Sequence, residues 1–251
     1  MLACGFALLP GFQPLASADW RADVGYDSLE AFLGDQIASG VGVSFAMVEA
    51  SNGDPDAGAY FPVPVDYVPD QAQSPASNYD LWFGNETDPD GVGVTFIDGS
   101  GQGGNGVSNH AAGQARVISS NFNAQSIAPR LNEITVYQVN HYLEDVLNVT
   151  TSTAPAVQNF RVQNHSWIGS YGERVDEENS KTVEALRRFD YAIDAAGGGE
   201  GMTAVVGVNN TSLMPYLMAH SYNAIAVGNS DGSHSIGFTL EDDPAIAGDT
   251  S

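Results

Sequence analysis

Residues 183–208, VEALRRFDYAIDAAGGGEGMTAVVGV, carry the pattern from which the fold class is predicted. The first part of this stretch has helical spacing of apolar side chains, which predicts a helix over 176–195 with one buried stripe: Val183, Leu186, Phe189 and Ile193. Gly197 is suited to end that helix, because glycine readily adopts the left-handed conformation of a helix C-terminus. The apolar run over 203–208 then predicts a buried strand. A helix followed directly by a buried strand favours a parallel sheet.

The same alternation of strands and helices extends along most of the chain. Two more helices are predicted, one over 27–38 and one that opens at His110. The other predicted strands cover residues 41–48, 91–98, 134–139, 160–167 and 224–227. Residues 51–90 are rich in Pro, Asp and Gly, and we interpret them as a long surface excursion. We therefore expect an α/β fold, a doubly wound and mostly parallel sheet with helices on both faces.

Composition limits the classes of partner. The chain has 31 acidic and 8 basic residues and a formal net charge of −23, which argues against nucleic acid and anionic membranes because phosphate binding needs clustered cations. Calcium is the one cofactor for which the sequence offers weak candidates, the carboxylate pairs Asp54/Asp56 and Asp88/Asp90, although neither has the spacing of a defined calcium loop. No histidine pair or cysteine cluster has zinc spacing.

The N-terminus has the outline of a secretory signal peptide. An apolar stretch over 2–9 precedes the small residues Ala16-Ser17-Ala18, although the usual positive charges are absent. Cys4 is the only cysteine in the sequence, so no intrachain disulfide can form. We expect a signal peptide over 1–18, with an ordinary apolar N-terminal segment as the alternative, and secretion of the protein. A single domain is expected over 19–251, since 251 residues with 43% hydrophobic content can bury one sizeable core.

Polar residues with catalytic potential follow several predicted strands. His110 opens a helix of small residues, Ser108-Asn109-His110-Ala111-Ala112, after a Gly-rich turn. Glu49 and Asp98 each end a strand, and Asn209 follows the strand over 203–208. A base on one loop and an amide donor on another are parts that acyl-transfer chemistry needs.

In this order and context, these stretches resemble the subtilisin-like serine proteases over roughly residues 40–240, apart from an insertion over 50–90. The resemblance implies hydrolysis of peptide bonds through an acyl-enzyme, with His110 as general base, Glu49 as its orienting acid and Asn209 as an oxyanion donor. Asp98 competes with Glu49 for the role of acid, and Asn210 with Asn209 for that of donor. A second alignment register places Val107 at the base position and implies an inactive protein.

The resemblance also implies a strand that lines a substrate cleft. The sequence Val162-Gln163-Asn164-His165-Ser166-Trp167-Ile168-Gly169 is similar to the family's strand onto which an extended protein or peptide substrate adds. Backbone groups of Ser166, Trp167 and Gly169 would bind that substrate. His165 is a further titratable group, but no acid pairs with it in the sequence.

The sequence departs from the family at the nucleophile. A Gly-Thr-Ser run that opens a late helix is expected after the asparagine strand, and residues 238–251 do not contain it. We expect either a fragment of a longer enzyme, incomplete at its C-terminus, or a non-catalytic relative that binds extended peptides. A nucleotide-binding domain is a further alternative, because residues 99–104 fit a glycine pattern that follows a strand, but a lone match of this kind is weak.

Overall fold

The computed structural model describes residues 25–51, 58–64, 83, 93–101, 106–120, 126–167, 169, 171, 180–208 and 217–227. The chain divides into two compact units, residues 1–37 and 38–251. The described part of the first unit holds helix α1 (Tyr26–Leu33), followed by a 3-10 turn over Gly34–Gln36. The helix is shorter than the predicted 27–38, because Gly34 ends it in a positive-φ conformation at 54°.

The second unit contains a six-stranded parallel sheet. Its strands are β1 (Phe45–Glu49), β2 (Thr95–Asp98), β3 (Glu133–Gln138), β4 (Val162–His165), β5 (Thr203–Gly207) and β6 (Ala224–Val227). They lie in the order β2-β3-β1-β4-β5-β6, and each neighbouring pair is parallel. The helices are α2 (Asn109–Ser119), the short α3 (Val139–His141), which continues into a π-helical turn over Tyr142–Val146, and α4 (Ser180–Gly199). A 3-10 turn over Leu217–His220 precedes β6.

Each face of the sheet packs into its own hydrophobic core. Alternate residues of a strand point to opposite faces, so Met47 and Val48 of β1 enter different cores. The Met47 core contains α2, and the Val48 core contains the π-helical turn and α4. Helices therefore cover both faces, as expected for a doubly wound α/β fold.

The two long helices connect their strands with opposite hands. The chain moves one position along the sheet in the same direction from β2 to β3 as it does from β4 to β5. Between these strands, α2 covers one face and α4 covers the other. Because the direction is the same and the faces are opposite, one of the two crossovers has the uncommon left hand.

Two sequence predictions about the core need correction. Tyr60, Phe61 and Val63, together with Phe83, are buried in the Met47 core, so part of the segment over 51–90 is core and not surface. In α4 the buried residues are Ala185, Phe189, Ala192, Ile193 and Ala196, whereas Val183 is 42% exposed. Gly197 does end the regular helix, at φ 59°, as predicted.

Candidate active site

Several polar side chains collect at one edge of the sheet. Because all six strands are parallel, their carboxyl ends share an edge, and Glu49, Asp98, Gln138 and His165 are the last residues of β1 to β4. From β1 the chain moves towards β2, whereas from the adjacent β4 it moves the opposite way, towards β5. Ligand sites in open α/β sheets form outside the carboxyl ends of strands at such a switch point.

The start of α2 is fixed by contacts that hold His110 at this edge. Ser108 is the N-cap residue, and its Oγ accepts a hydrogen bond from the backbone N of Ala111 at 3.2 Å. The backbone N of Ser108 donates to the carbonyl of Phe61 at 2.8 Å, and Val107 forms a β-bridge with the same residue. Val107 therefore precedes the helix, and His110 is its second residue.

Glu49 and His110 meet although 61 residues separate them in the sequence. The His110 Nδ1 lies 2.8 Å from Glu49 Oε2. The Glu49 side chain is fully buried, and the His110 side chain is 52% exposed. Within the described part of the chain, the second carboxylate oxygen of Glu49, Oε1, is buried without a hydrogen-bond partner.

The electrostatics of the pair follow from this difference in burial. Burial raises the pKa of Glu49, and the hydrogen bond and charge of His110 offset part of that rise. The hydrogen bond to Glu49 raises the pKa of His110 above its ordinary value, with partial burial acting in the opposite direction. The pair therefore holds a proton more tightly than an isolated histidine does.

This geometry is suited to general-base chemistry. An ionised carboxylate can only accept a hydrogen bond, so the neutral imidazole carries its proton on Nδ1 and leaves Nε2 able to take one. A carboxylate that fixes the tautomer and stabilises the imidazolium is the arrangement by which a histidine activates a hydroxyl nucleophile.

Asp98, the other candidate acid, takes part in a different set of contacts. Its Oδ1 accepts hydrogen bonds from the Tyr60 hydroxyl at 2.6 Å and from the backbone N of Ser100 and Gly101 at 3.0 and 3.1 Å. It ends β2, which β3 separates from β1. These contacts favour Glu49 over Asp98 as the partner of His110.

The three candidate substrate-binding residues lie just beyond β4. The Ser166 Oγ accepts from Asn164 Nδ2 at 2.8 Å. The Trp167 indole is buried in the Val48 core and donates to His165 Nδ1 at 3.2 Å, so a substrate would meet its backbone and not its ring. The Gly169 carbonyl accepts from the backbone N of Leu217 at 3.2 Å, which leaves less of its hydrogen-bonding capacity for a peptide.

The remaining predictions concern residues outside the described part of the chain and the binding of a metal ion. Asn209 and Asn210, both carboxylate pairs proposed for calcium, Cys4 and the predicted signal peptide lie outside the described residues. Among the residues that are described, no three His, Cys, Asp or Glu side chains are grouped so as to hold a metal ion. In the same residues, no helix has the length and apolar character needed to span a membrane.

Sequence reasoning missed two residues that shape this site. Phe61 anchors the segment before α2, and Gln138 is a buried polar side chain at the end of β3. The apolar run Tyr60-Phe61-Pro62-Val63 inside a polar segment was a usable signal for the first. A single glutamine has no comparable local signature. No family model, curated protein or solved structure matches this chain.

Proposed function

We propose that Glu49 and His110 are the orienting acid and general base of a serine endopeptidase of subtilisin-like type. The observation that carries the proposal is the 2.8 Å contact between a buried carboxylate and the Nδ1 of a half-exposed imidazole at the carboxyl edge of a parallel sheet. The two residues come from stretches 61 positions apart in the sequence and lie within hydrogen-bonding distance, which supports the proposal.

The proposed reaction assigns each proton. His110 Nε2 takes the proton of a serine hydroxyl while the serine oxygen bonds to the carbonyl carbon of a peptide. The resulting imidazolium, stabilised by Glu49, returns that proton to the departing amine, and water then releases the acyl group by the same route. Asn209 would donate its amide to the oxyanion, and an extended protein or peptide substrate would add along residues 166–169. None of the serines in the sequence is assigned as the nucleophile. The acidic composition is consistent with a secreted enzyme.

Labelling with a fluorophosphonate probe tests this proposal on the complete protein that the gene encodes. The probe forms a covalent bond with a serine whose hydroxyl is activated, so we expect labelling of the parent protein and its loss in His110→Ala. The matched control is Val107→Ala, three residues earlier, which should retain labelling.

The opposite outcomes are equally informative. Labelling lost in Val107→Ala and kept in His110→Ala would overturn the choice of base. A folded protein that binds extended peptides and takes up no probe would replace the protease by a non-catalytic peptide-binding domain, the alternative function.

A further inference from the structure

Gln138 lies next to Glu49 at the carboxyl edge of the sheet. Glu49 and Gln138 are the last residues of adjacent strands and are partners in the β1–β3 register. Both side chains are fully buried. Beyond this pair, the described ladder between the two strands ends.

The side-chain amide of Gln138 forms hydrogen bonds just beyond the end of the ladder. Its Nε2 donates to the Oγ of Ser51, two residues after Glu49, at 3.1 Å. Its Oε1 accepts from the backbone N of His141 at 2.8 Å and so caps α3. Its own backbone N donates to the Oγ of Ser100, just beyond β2, at 2.8 Å. Gln138 therefore forms hydrogen bonds with residues that follow β1, β2 and β3.

We propose that Gln138 is a positioning residue, which holds the end of β1 so that the Glu49 carboxylate faces His110. This inference rests on the function proposed for that pair. Oε1 of Glu49 has no hydrogen-bond partner in the described structure, so few contacts of its own orient the carboxylate. Its direction then depends on the backbone that carries it, and within the described residues the Gln138–Ser51 bond is a side-chain contact that restrains this backbone just after the ladder ends.

The test measures the pKa of His110 by NMR titration of the complete protein. Gln138→Met keeps the size and removes the amide, so we expect a looser Glu49–His110 contact and a pKa of His110 that falls towards its ordinary value. The matched control is Gln163→Met, because Gln163 is equally buried, lies in β4, and its register partner is Ala46 in place of Glu49. It should leave the pKa of His110 unchanged.

A milder variant covers the case in which Gln138→Met does not fold. Ser51→Ala removes only the oxygen that accepts from Gln138 Nε2, and the pKa of His110 should fall in the same direction, by a smaller amount. An unchanged pKa in Ser51→Ala and in folded Gln138→Met would overturn the proposal, as would an equal fall in Gln163→Met. This readout needs no nucleophile, so it separates failure of the positioning role from failure of the protease proposal, which probe uptake decides.

Discussion

Two histidines, one on each face of the sheet, differ in burial and in the direction in which their pKa values are shifted. His110 is half-exposed and pairs with a carboxylate. His165, the last residue of β4, is fully buried among aromatic rings and packs edge-on against Tyr142 and Phe189. The pKa of His110 is raised by the Glu49 hydrogen bond, whereas burial lowers the pKa of His165 to about 3.

The two rings also differ in their hydrogen bonds. Trp167 Nε1 donates to His165 Nδ1, so the ring proton lies on Nε2 and is donated to Gln163 Oε1 at 2.9 Å. Gln163 Oε1 also accepts from the Tyr142 hydroxyl at 2.7 Å. Both nitrogens of His165 are therefore engaged in a neutral network, and neither can exchange a proton with a substrate. Among the described residues, His110 has a hydrogen-bond partner on Nδ1 alone.

The largest expected effect comes from the partner that distinguishes His110. Glu49→Gln removes the negative charge and replaces one carboxylate oxygen with an N–H donor. The Nδ1–H tautomer and the imidazolium then lose their stabilisation, so turnover of a peptide substrate should fall by about 10³- to 10⁴-fold. The unfolding free energy should stay the same or rise, because the substitution also removes a buried charge. Steady-state kinetics and urea denaturation of the complete protein measure the two effects. Asp98→Asn is the matched control, and an equal loss of turnover in that variant would transfer the role of acid to Asp98.

The sequence predicted the order of elements well and their ends less well. The residues of β6 were predicted as they stand in the structure. β1 begins at Phe45 and not at Val41, because Gly40 and Gly42 adopt positive φ angles of 92° and 74° in a turn. In α4 the stripe is rotated towards alanines, since a helix that packs closely against a sheet buries small side chains that apolar periodicity undervalues.

At the site, the sequence predicted the residues whose chemistry is local. Glu49 ends a strand and His110 opens a helix, and each can be placed at the sheet edge from its own neighbours. Their contact depends on the strand order, and the role of Gln138 on a register, so neither is encoded in a short motif. His165 could not be distinguished from His110 by sequence, because its burial comes from α4 and the π-helical turn, which lie elsewhere in the chain.

A second prediction tests the buried histidine. In the folded protein the pKa of His165 is lowered to about 3, from about 6.5 in the unfolded chain. The neutral ring thus contributes stability that is present above about pH 6.5 and is lost as the pH falls towards 3, by several kcal/mol in total. His165→Leu should cost about 2–4 kcal/mol at pH 7, because Trp167 and Gln163 lose a buried partner, and should flatten the acid side of the stability profile.

Urea denaturation between pH 7 and pH 3 measures both parts of this prediction. The control is His141→Leu, because His141 meets the exposed Asp145 across 3.6 Å and contributes no comparable network. An acid profile in His165→Leu as steep as that of the parent would mean that the ring is not held neutral, and the contrast between the two histidines would then fail.

The smallest expected effect is the change in the pKa of His110 with salt concentration. The chain carries a net charge of −23, whose field favours protonation of any exposed imidazole, and raising NaCl from 0.1 to 1 M shortens the screening length from about 10 to about 3 Å. The pKa of His110 should fall slightly with salt in an NMR titration but stay above its ordinary value, because the hydrogen bond to Glu49 is too short to be screened. His165 should remain neutral at both salt concentrations near pH 7. If high salt instead returned the pKa of His110 to its ordinary value, the rise would come from the general field of the protein. The pair would then lose the direct contact on which its proposed chemistry depends.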